Sequence, residues 1–410
     1  MSFEKLNVMK EIVRALTEAG ITTPTLIQEK AIPLIKAGKD VIGRSKTGSG
    51  KTAAFGIPIL EMITPRAGLQ ALILTPTREL AVQISGVLES FGKYIHCSVA
   101  TVYGGVSITP QIHKIARSEI VVSTPGRLLD HLERRTINLS KIRCVVLDEA
   151  DKMVEMGFIQ DVERILEHTP QQKQVLLFGA TLSSEINNLK RKHMNDPIVA
   201  EAEHQVKEDL LAQYYYNVEP QEKFSLLVHL LKKEETRRVI IFCSTRSTVE
   251  IVARNLRQQG VHVEMIHGKL SQARRLSVIE GFNKGKPNVL VASSVAARGL
   301  DIKDISHVFN YDLSGDPQEY IHRIGRTARA GESGKAITLL SPKNHEEFGA
   351  ILNRYRLDVE VLPLEDFPRL RFDAHGMQQR GFARQRFGRG GPSRHGGRSF
   401  HSRPSSRRSF

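Results

Sequence analysis

The stretch "GRSKTGSGKTAAFG" (residues 43–56) sets glycines and lysines between an apolar run and a helical one. Such a loop is either a structural turn or a cradle for phosphate. "DVIG" (40–43) before it reads as a strand, and "KTAAFGIPILEMI" (51–63) after it begins a helix. Strand, loop and helix in that order aim backbone N–H groups and a helix dipole at an anion. There Lys51 reaches the β and γ phosphates, and the Thr52 hydroxyl ligates Mg²⁺. The strict GxxxxGK[ST] pattern asks for glycine where this chain has Ser45, so the loop taken alone leaves the structural turn open.

A second group of reactive residues lies about a hundred residues on. "CVVLDEADKM" places Asp148 and Glu149 at the end of an apolar strand. One carboxylate can hold the Mg²⁺ that bridges phosphates, largely through water, and its neighbour can orient or deprotonate an attacking water. The plain alternative is a charged cap on a buried strand. A third group, "YIHRIGRTARAG" (320–331), repeats arginine at 323, 326 and 329. That spacing lines one helical face. The face is either a solvated stripe or a set of cationic fingers for the nucleotide of the first half.

These groups need a scaffold, and the chain supplies one twice. "ALILT" (71–75), "EIVVS" (119–123), "RCVVLD" (143–148) and "QVLLFG" (174–179) read as buried strands alternating with helical patterns such as 78–91 and 157–168. Continuous rather than alternating hydrophobicity predicts a parallel sheet covered on both faces. The theme returns in "RVIIFC" (238–243), "VHVEMI" (261–266), "NVLVAS" (288–293), "SHVFNY" (306–311) and "KAITLL" (335–340). The reading is an α/β chain with one domain over 1–200, a charged linker over 201–211, a second domain over 212–368 and a tail over 369–410. No short-period repeat is present.

The chain's 410 residues suit two to three domains, and no apolar run approaches the roughly 18 residues of a membrane span. The N-terminus lacks the apolar core of a secretory signal. Cys97, Cys144 and Cys243 are too far apart for zinc spacing and odd in number, so no zinc, no disulfide framework and a reducing compartment are expected. The net charge of +15 is uneven: residues 369–410 hold eleven Arg, no Lys and one acid, which is +10 of it. With seven Gly, six Ser and scattered Phe, the tail cannot bury enough apolar surface to offset its ordering entropy and reads as disordered. Arginine interleaved with Phe favours phosphate contacts with stacking on bases over a merely solubilising role.

The ordered series of motifs resembles the DEAD-box RNA helicases, a prokaryotic type with a short basic tail, over about residues 3–340. The resemblance implies two tandem RecA-like domains, each a mainly parallel sheet flanked by helices, that use ATP and Mg²⁺ and act on single-stranded and structured RNA. "TTPTLIQ" (22–28) resembles the Q motif, which implies that Gln28 reads adenine, with Phe3 as the upstream aromatic. "SKTGSGKT" resembles motif I and assigns Ser45, Lys46, Thr47, Gly48, Ser49, Gly50, Lys51 and Thr52 to the phosphates. "DEAD" (148–151) matches motif II. "PTREL" (76–80), the glycine pair 104–105 and "TPGR" (124–127) imply RNA contacts at Pro76, Thr77, Arg78, Gly104, Gly105, Thr124, Pro125, Gly126 and Arg127. "FCSTR" (242–246) and "QARR" (272–275) add Thr245, Arg246, Gln272 and Arg275. "SSVAARGLD" (293–301) implies that Asp301 contacts the ribose, and "HRIGRTAR" (322–329) that Arg326 and Arg329 face the γ-phosphate. Asp151, "GAT" (Gly179, Ala180, Thr181), Ser294 and His322 are the implied coupling positions. Ile21, Gly179 and Ser294 depart from the family's usual aromatic, Ser and Asp.

The implied mechanism is a clamp, closed by ATP and RNA together, with Lys51, Asp148, Glu149, Arg326 and Arg329 as catalytic residues. It opens short duplexes locally in the cytoplasm, with ribonucleoprotein or RNA-decay factors as candidate partners and no membrane. The competing readings are an ATP-gated RNA clamp or annealing factor, a DNA-directed relative, and a structural RNA-binding protein.

Overall fold

The computed structural model describes residues 2–45, 49–179, 183–202, 211–297, 302, 304–328 and 333–374, and residues through Phe372 form one compact unit. The first half supplies β1 (Val41–Arg44), β2 (Ala71–Leu74), β3 (Val99–Val102), β4 (Ile120–Ser123), β5 (Cys144–Asp148), β6 (Gln174–Gly179) and β7 (Ile198–Glu201). The second supplies β8 (Leu211–Asn217), β9 (Val239–Cys243), β10 (Val263–Ile266), β11 (Val289–Ser293), β12 (His307–Asn310), β13 (Gly334–Leu340) and β14 (Glu360–Leu362). Within β2, Ala71 and Ile73 join an apolar cluster with Phe55 and Ile84, while Leu72 and Leu74 join another with Leu128 and Val162. In β9, Val239, Ile241 and Cys243 face one cluster, and Ile240 and Phe242 the other. Both faces of each sheet are therefore covered by helices, which is why the strands read as unbroken apolar runs.

Two sheets of seven strands result, ordered β3-β4-β2-β5-β6-β1-β7 and β10-β11-β9-β12-β13-β8-β14, and every described pairing is parallel. Numbered within its own half, each sheet has the order 3-4-2-5-6-1-7. The recurrence legible in the sequence is a duplicated topology, with a lobe built on each sheet. Parallel strands put their C-terminal ends on one edge, where loops meet helix N-termini and ligands bind.

Sequence reading misses β3, β7, β8 and β14. Residues 201 and 211, the ends of the expected linker, belong to β7 and β8, and residues 203–210 lie outside the described residues. The start of the expected tail also differs. After β14 the chain lies along the helix Lys223–Lys233, where the Leu370 N–H donates to Ser225 Oγ (2.9 Å) and the Phe372 ring sits 5.0 Å from Phe224. Arg369 pairs with Glu222 at 2.6 Å. Phe367, Leu370 and Phe372 thus pack on the second lobe, because three apolar side chains at short intervals outweigh the local arginines. Residues 375–410 lie outside the described residues.

Cys144 and Cys243 are fully buried and Cys97 half-buried, all three free. Burial, then Glu119, pushes the Cys97 thiol up to about 12. Among the described residues there is no metal-binding cluster of His, Cys, Asp and Glu, and no helix long and apolar enough to cross a membrane.

Candidate nucleotide site and nucleic-acid face

The phosphate loop leaves the C-terminal end of β1 and enters the helix Lys51–Met62. Gly50 caps that helix at φ +92°, a left-handed conformation that favours glycine. A Cβ there would lie 2.3 Å from Gln28 Nε2, so glycine is also required by space. Gln28 is buried and donates Nε2 to Gly50 O (3.0 Å), while its Oε1 accepts from Thr25 N (3.0 Å). Those two bonds use one N–H and one lone pair of the amide, which has a second of each. Phe3, the upstream aromatic, is buried in the first lobe's core. Ile21 is partly buried against the same core.

Lys51 is buried, and its Nζ donates to Ser45 O at 3.0 Å; Ser49 Oγ donates to Ser45 Oγ at 2.8 Å. Ser45 therefore ties the loop through a hydroxyl that glycine could not supply. Thr52 occupies the first turn of the helix, half-exposed. Lys46, Thr47 and Gly48 lie outside the described residues.

At the end of β5, Asp148 and Glu149 are both buried. Burial pushes the Asp148 carboxyl up to about 6, against the pull of Lys51. Glu149 has φ +53°, strained for a residue with a side chain, and begins the helix Ala150–Glu155. Burial raises its carboxyl, but Lys152 and Lys51 outweigh that and hold it below the ordinary range. Lys152, itself buried, lies 2.7 Å from Glu149 Oε2. The charge of Arg326, from the second lobe, also acts on both Glu149 and Lys152. The Asp148 carboxylate, near enough to Lys51 to respond to its charge, and the hydroxyl of Thr52, next along that helix, are hard oxygen donors of the kind Mg²⁺ takes.

The arginine series departs from the expected helical face. The helix Pro317–Ile324 ends at Gly325, and Ala328 turns the chain at φ +54°, so 323 and 326 do not share a face. Arg323 is buried within the second lobe, donating Nε to Ser294 Oγ (2.8 Å), Nη1 to Asp312 O (2.6 Å) and Nη2 to Glu319 (2.6 Å). Arg326 is buried, and its charge is felt by the first lobe's acid Glu149. Arg329, Asp301, Ala180 and Thr181 lie outside the described residues.

Three of the expected RNA segments do meet in the first lobe. Thr77 caps the helix Arg78–Phe91 by accepting from Leu80 N, after Pro76. The Arg78 guanidinium covers the glycine pair: a Cβ on Gly105, at φ +84°, would come within 2.3 Å of Nη1, and one on Gly104 within 3.5 Å of Nη2. Thr124 and Pro125 start the helix that carries Arg127, whose Nη2 donates to Val106 O at 3.0 Å, and around Gly126 there is open space. In the second lobe Thr245 caps the helix Arg246–Gln258, and exposed Arg246 pairs with Glu250. Gln272 and Arg275 instead turn to Glu79 of the first lobe, at 3.0 and 2.7 Å, so their polar groups join the lobes.

Glu79 stands inside "PTREL", but nothing in its local pattern marks it as a bridge. Glu155 is a second such bridge: Gln318 Nε2 donates to it at 2.8 Å, and His322 Nε2 lies 4.0 Å away. Asp151 accepts from the Lys152 N–H (3.1 Å) and lies beside Gly179.

Residues 25–189 match the DEAD/DEAH box helicase family, and residues 222–331 the helicase conserved C-terminal domain. The chain is 44% identical over 345 residues to the DEAD-box ATP-dependent RNA helicase CshA of Geobacillus kaustophilus, covering 83% of this chain and 74% of that one. Among solved structures, Dbp5 of S. cerevisiae bound to RNA and ADP BeF3 superposes with a TM-score of 0.79, at 32% identity over 88% of this chain and 95% of that one. A point variant of the same yeast protein, bound to Nup159, Gle1, IP6 and ADP, gives 0.62, at 30% identity over 88% and 96%.

Proposed function

Since the chain belongs to the DEAD-box ATP-dependent RNA helicases, we infer that it opens short RNA duplexes locally by a clamp that ATP and RNA close together. The observation that carries this is the pair of polar bridges between the lobes, Gln272 and Arg275 to Glu79 and Gln318 to Glu155, which join the lobe holding Lys51, Asp148 and Glu149 to the one holding Arg326. Neither lobe alone holds the complete site, so hydrolysis requires closure.

In this reading Lys51 leaves Ser45 O for the β and γ phosphates, and Gln28 reads adenine while tied to the loop. Thr52 and Asp148 would hold Mg²⁺, which when bound would neutralise charge on the phosphates. Glu149 orients the attacking water. Arg326 and Arg329 stabilise charge on the transferred group, a role worth about 10³–10⁵ in rate. Arg78, Gly104, Gly105 and Arg127 grip the RNA backbone, with Thr245 and Arg246 on the second lobe. ATP and RNA favour the same closed state, so each tightens the other by the same factor. The free thiols of Cys97, Cys144 and Cys243 suit a reducing cytoplasm. Ribonucleoprotein or RNA-decay factors are the proposed partners, and residues 375–410 hold RNA near the core.

Glu149→Gln tests the reading. The variant should bind ATP and RNA with near-normal affinity, lose RNA-stimulated phosphate release by at least about a hundredfold, and fail in repeated strand displacement. Full turnover by Glu149→Gln would remove that residue from the water-orienting role. Normal ATPase in the unaltered protein without displacement of a short RNA duplex would favour an ATP-gated clamp.

A further inference from the structure

Beneath the RNA face of the first lobe lies a buried polar pair that no step above uses. Gln111, in the helix Thr109–Ile115, and His131, in the helix Pro125–Glu133, are both buried. Gln111 Nε2 donates to Tyr103 O at 2.9 Å, which turns its Oε1 toward the second helix. There Oε1 lies 3.2 Å from His131 Nε2 and 3.4 Å from Arg127 Nη1. A carbonyl oxygen with two lone pairs can accept from both. It can do so only if His131 carries its proton on Nε2. His131 Nδ1 is then an acceptor, and the one proton of the Thr136 hydroxyl is shared between it, at 2.8 Å, and His131 O, at 3.1 Å.

One amide thus joins three things. It fixes Tyr103, the residue before the glycine pair; it accepts from Arg127; and it is itself held by His131. Arg127 in turn donates Nη2 to Val106 O, just past the same pair, and its Nε lies 3.6 Å from Asp130. The loop that carries Gly104 and Gly105 is therefore pinned at both ends through Gln111.

We propose that Gln111 and His131 are positioning residues for RNA binding, setting the Arg127 guanidinium and the 103–106 loop in the geometry that receives a single-stranded RNA backbone. The proposal rests on the reading of Gly104, Gly105 and Arg127 as RNA contacts. A purely structural role, packing one helix on the other, would lower stability without selecting RNA affinity.

The experiment is an RNA titration of the ATPase of the full chain, with a single-stranded oligonucleotide, for His131→Phe, His131→Gln, Arg127→Ala and the double variant Arg127→Ala/His131→Phe. His131→Phe keeps the ring volume and removes the donor. It should raise the RNA concentration for half-maximal ATPase about fivefold, the scale of one neutral buried hydrogen bond, and leave turnover at saturating RNA within about twofold. His131→Gln places an N–H near the position of Nε2 and should recover most of the affinity. The double variant should lose clearly less than the two single losses combined, because His131 acts in part through Arg127 and in part through the 103–106 loop. Unchanged RNA affinity in His131→Phe, with Arg127→Ala impaired, overturns the positioning role alone, as does additivity in the double variant. Normal RNA affinity in Arg127→Ala overturns the RNA-face reading beneath it. If His131→Phe does not fold, Gln111→Met, of similar length and without the amide, carries the same expectations.

Discussion

Gly179 has room for the side chain it lacks. A Cβ there would meet Asp151 Oδ1 at 3.4 Å, an ordinary contact, whereas one on Gly43 would come within 2.2 Å of the Phe178 ring. Gly179→Ser should therefore fold normally and set its hydroxyl within reach of Asp151. If that hydroxyl links hydrolysis to strand opening, the number of duplexes opened per ATP rises while ATPase turnover changes by less than about twofold. Parallel phosphate-release and strand-displacement measurements read the ratio; an unchanged ratio would assign coupling elsewhere. Ser294 is a different case. A buried guanidinium left without a counter-charge is strongly destabilising, yet Arg323 has Glu319 at 2.6 Å and needs from Ser294 only an acceptor for Nε. The missing Asp is thus offset on the neighbouring helix.

Helices and strands are the more legible scale. Chemistry concentrated in a few consecutive residues, as in "SGKT" and "DEAD", is visible because one loop or strand end positions it. The bridges Glu79–Arg275 and Glu155–Gln318 join residues 196 and 163 apart, and no local pattern announces them. β14 escapes notice because it is only three residues long, and β3 and β8 because "VATV" and "LAQYYYN" are broken by polar residues where the legible strands are nearly continuous apolar runs. The arginine face fails as a sequence reading because Gly325 ends its helix. The segment after β14 is legible only with the fold in hand, since composition weighs arginines without seeing where Leu370 and Phe372 can dock. That docking has a measurable consequence. A chain ending at Phe367 should lose about 1–3 kcal/mol of stability in the second lobe with the two apolar anchors, and one ending at Ala374 should keep its Tm. The residues after Ala374 include nine Arg and no acids. If about five of them neutralise phosphates, that second truncation should make the slope of log K against log[salt] for RNA shallower by roughly 3–4. Equal slopes would leave the tail without a tethering role.

For the molecule as a whole, four histidines lead the response to acid, opposed by Asp148, whose raised carboxyl takes up a proton near pH 6 in the fold before it does in the unfolded chain. Burial lowers the pKa of His131, His193, His267 and His307. Each is neutral in the fold at pH values where the unfolded chain already binds a proton. The unfolded state then binds more protons, so stability is fully present above about pH 6.5 and falls as pH drops below it, by up to about 1.4 kcal/mol per pH unit for each histidine. Tm measured between about pH 8 and 5.5 should be level at first and then decline; a flat profile would mean that these rings are not kept neutral. The strand order carries a further consequence, for biosynthesis. β1 lies between β6 and β7, and β8 between β13 and β14. A ribosome therefore makes the strand that seats the phosphate loop first in its lobe, and its two neighbours last. At about 5–20 residues per second the nascent β1 waits roughly 7–27 s for β6 to follow it. Over that interval its apolar flanks are open to chaperones and to wrong strands, and a pause in translation before residue 174 lengthens the exposure.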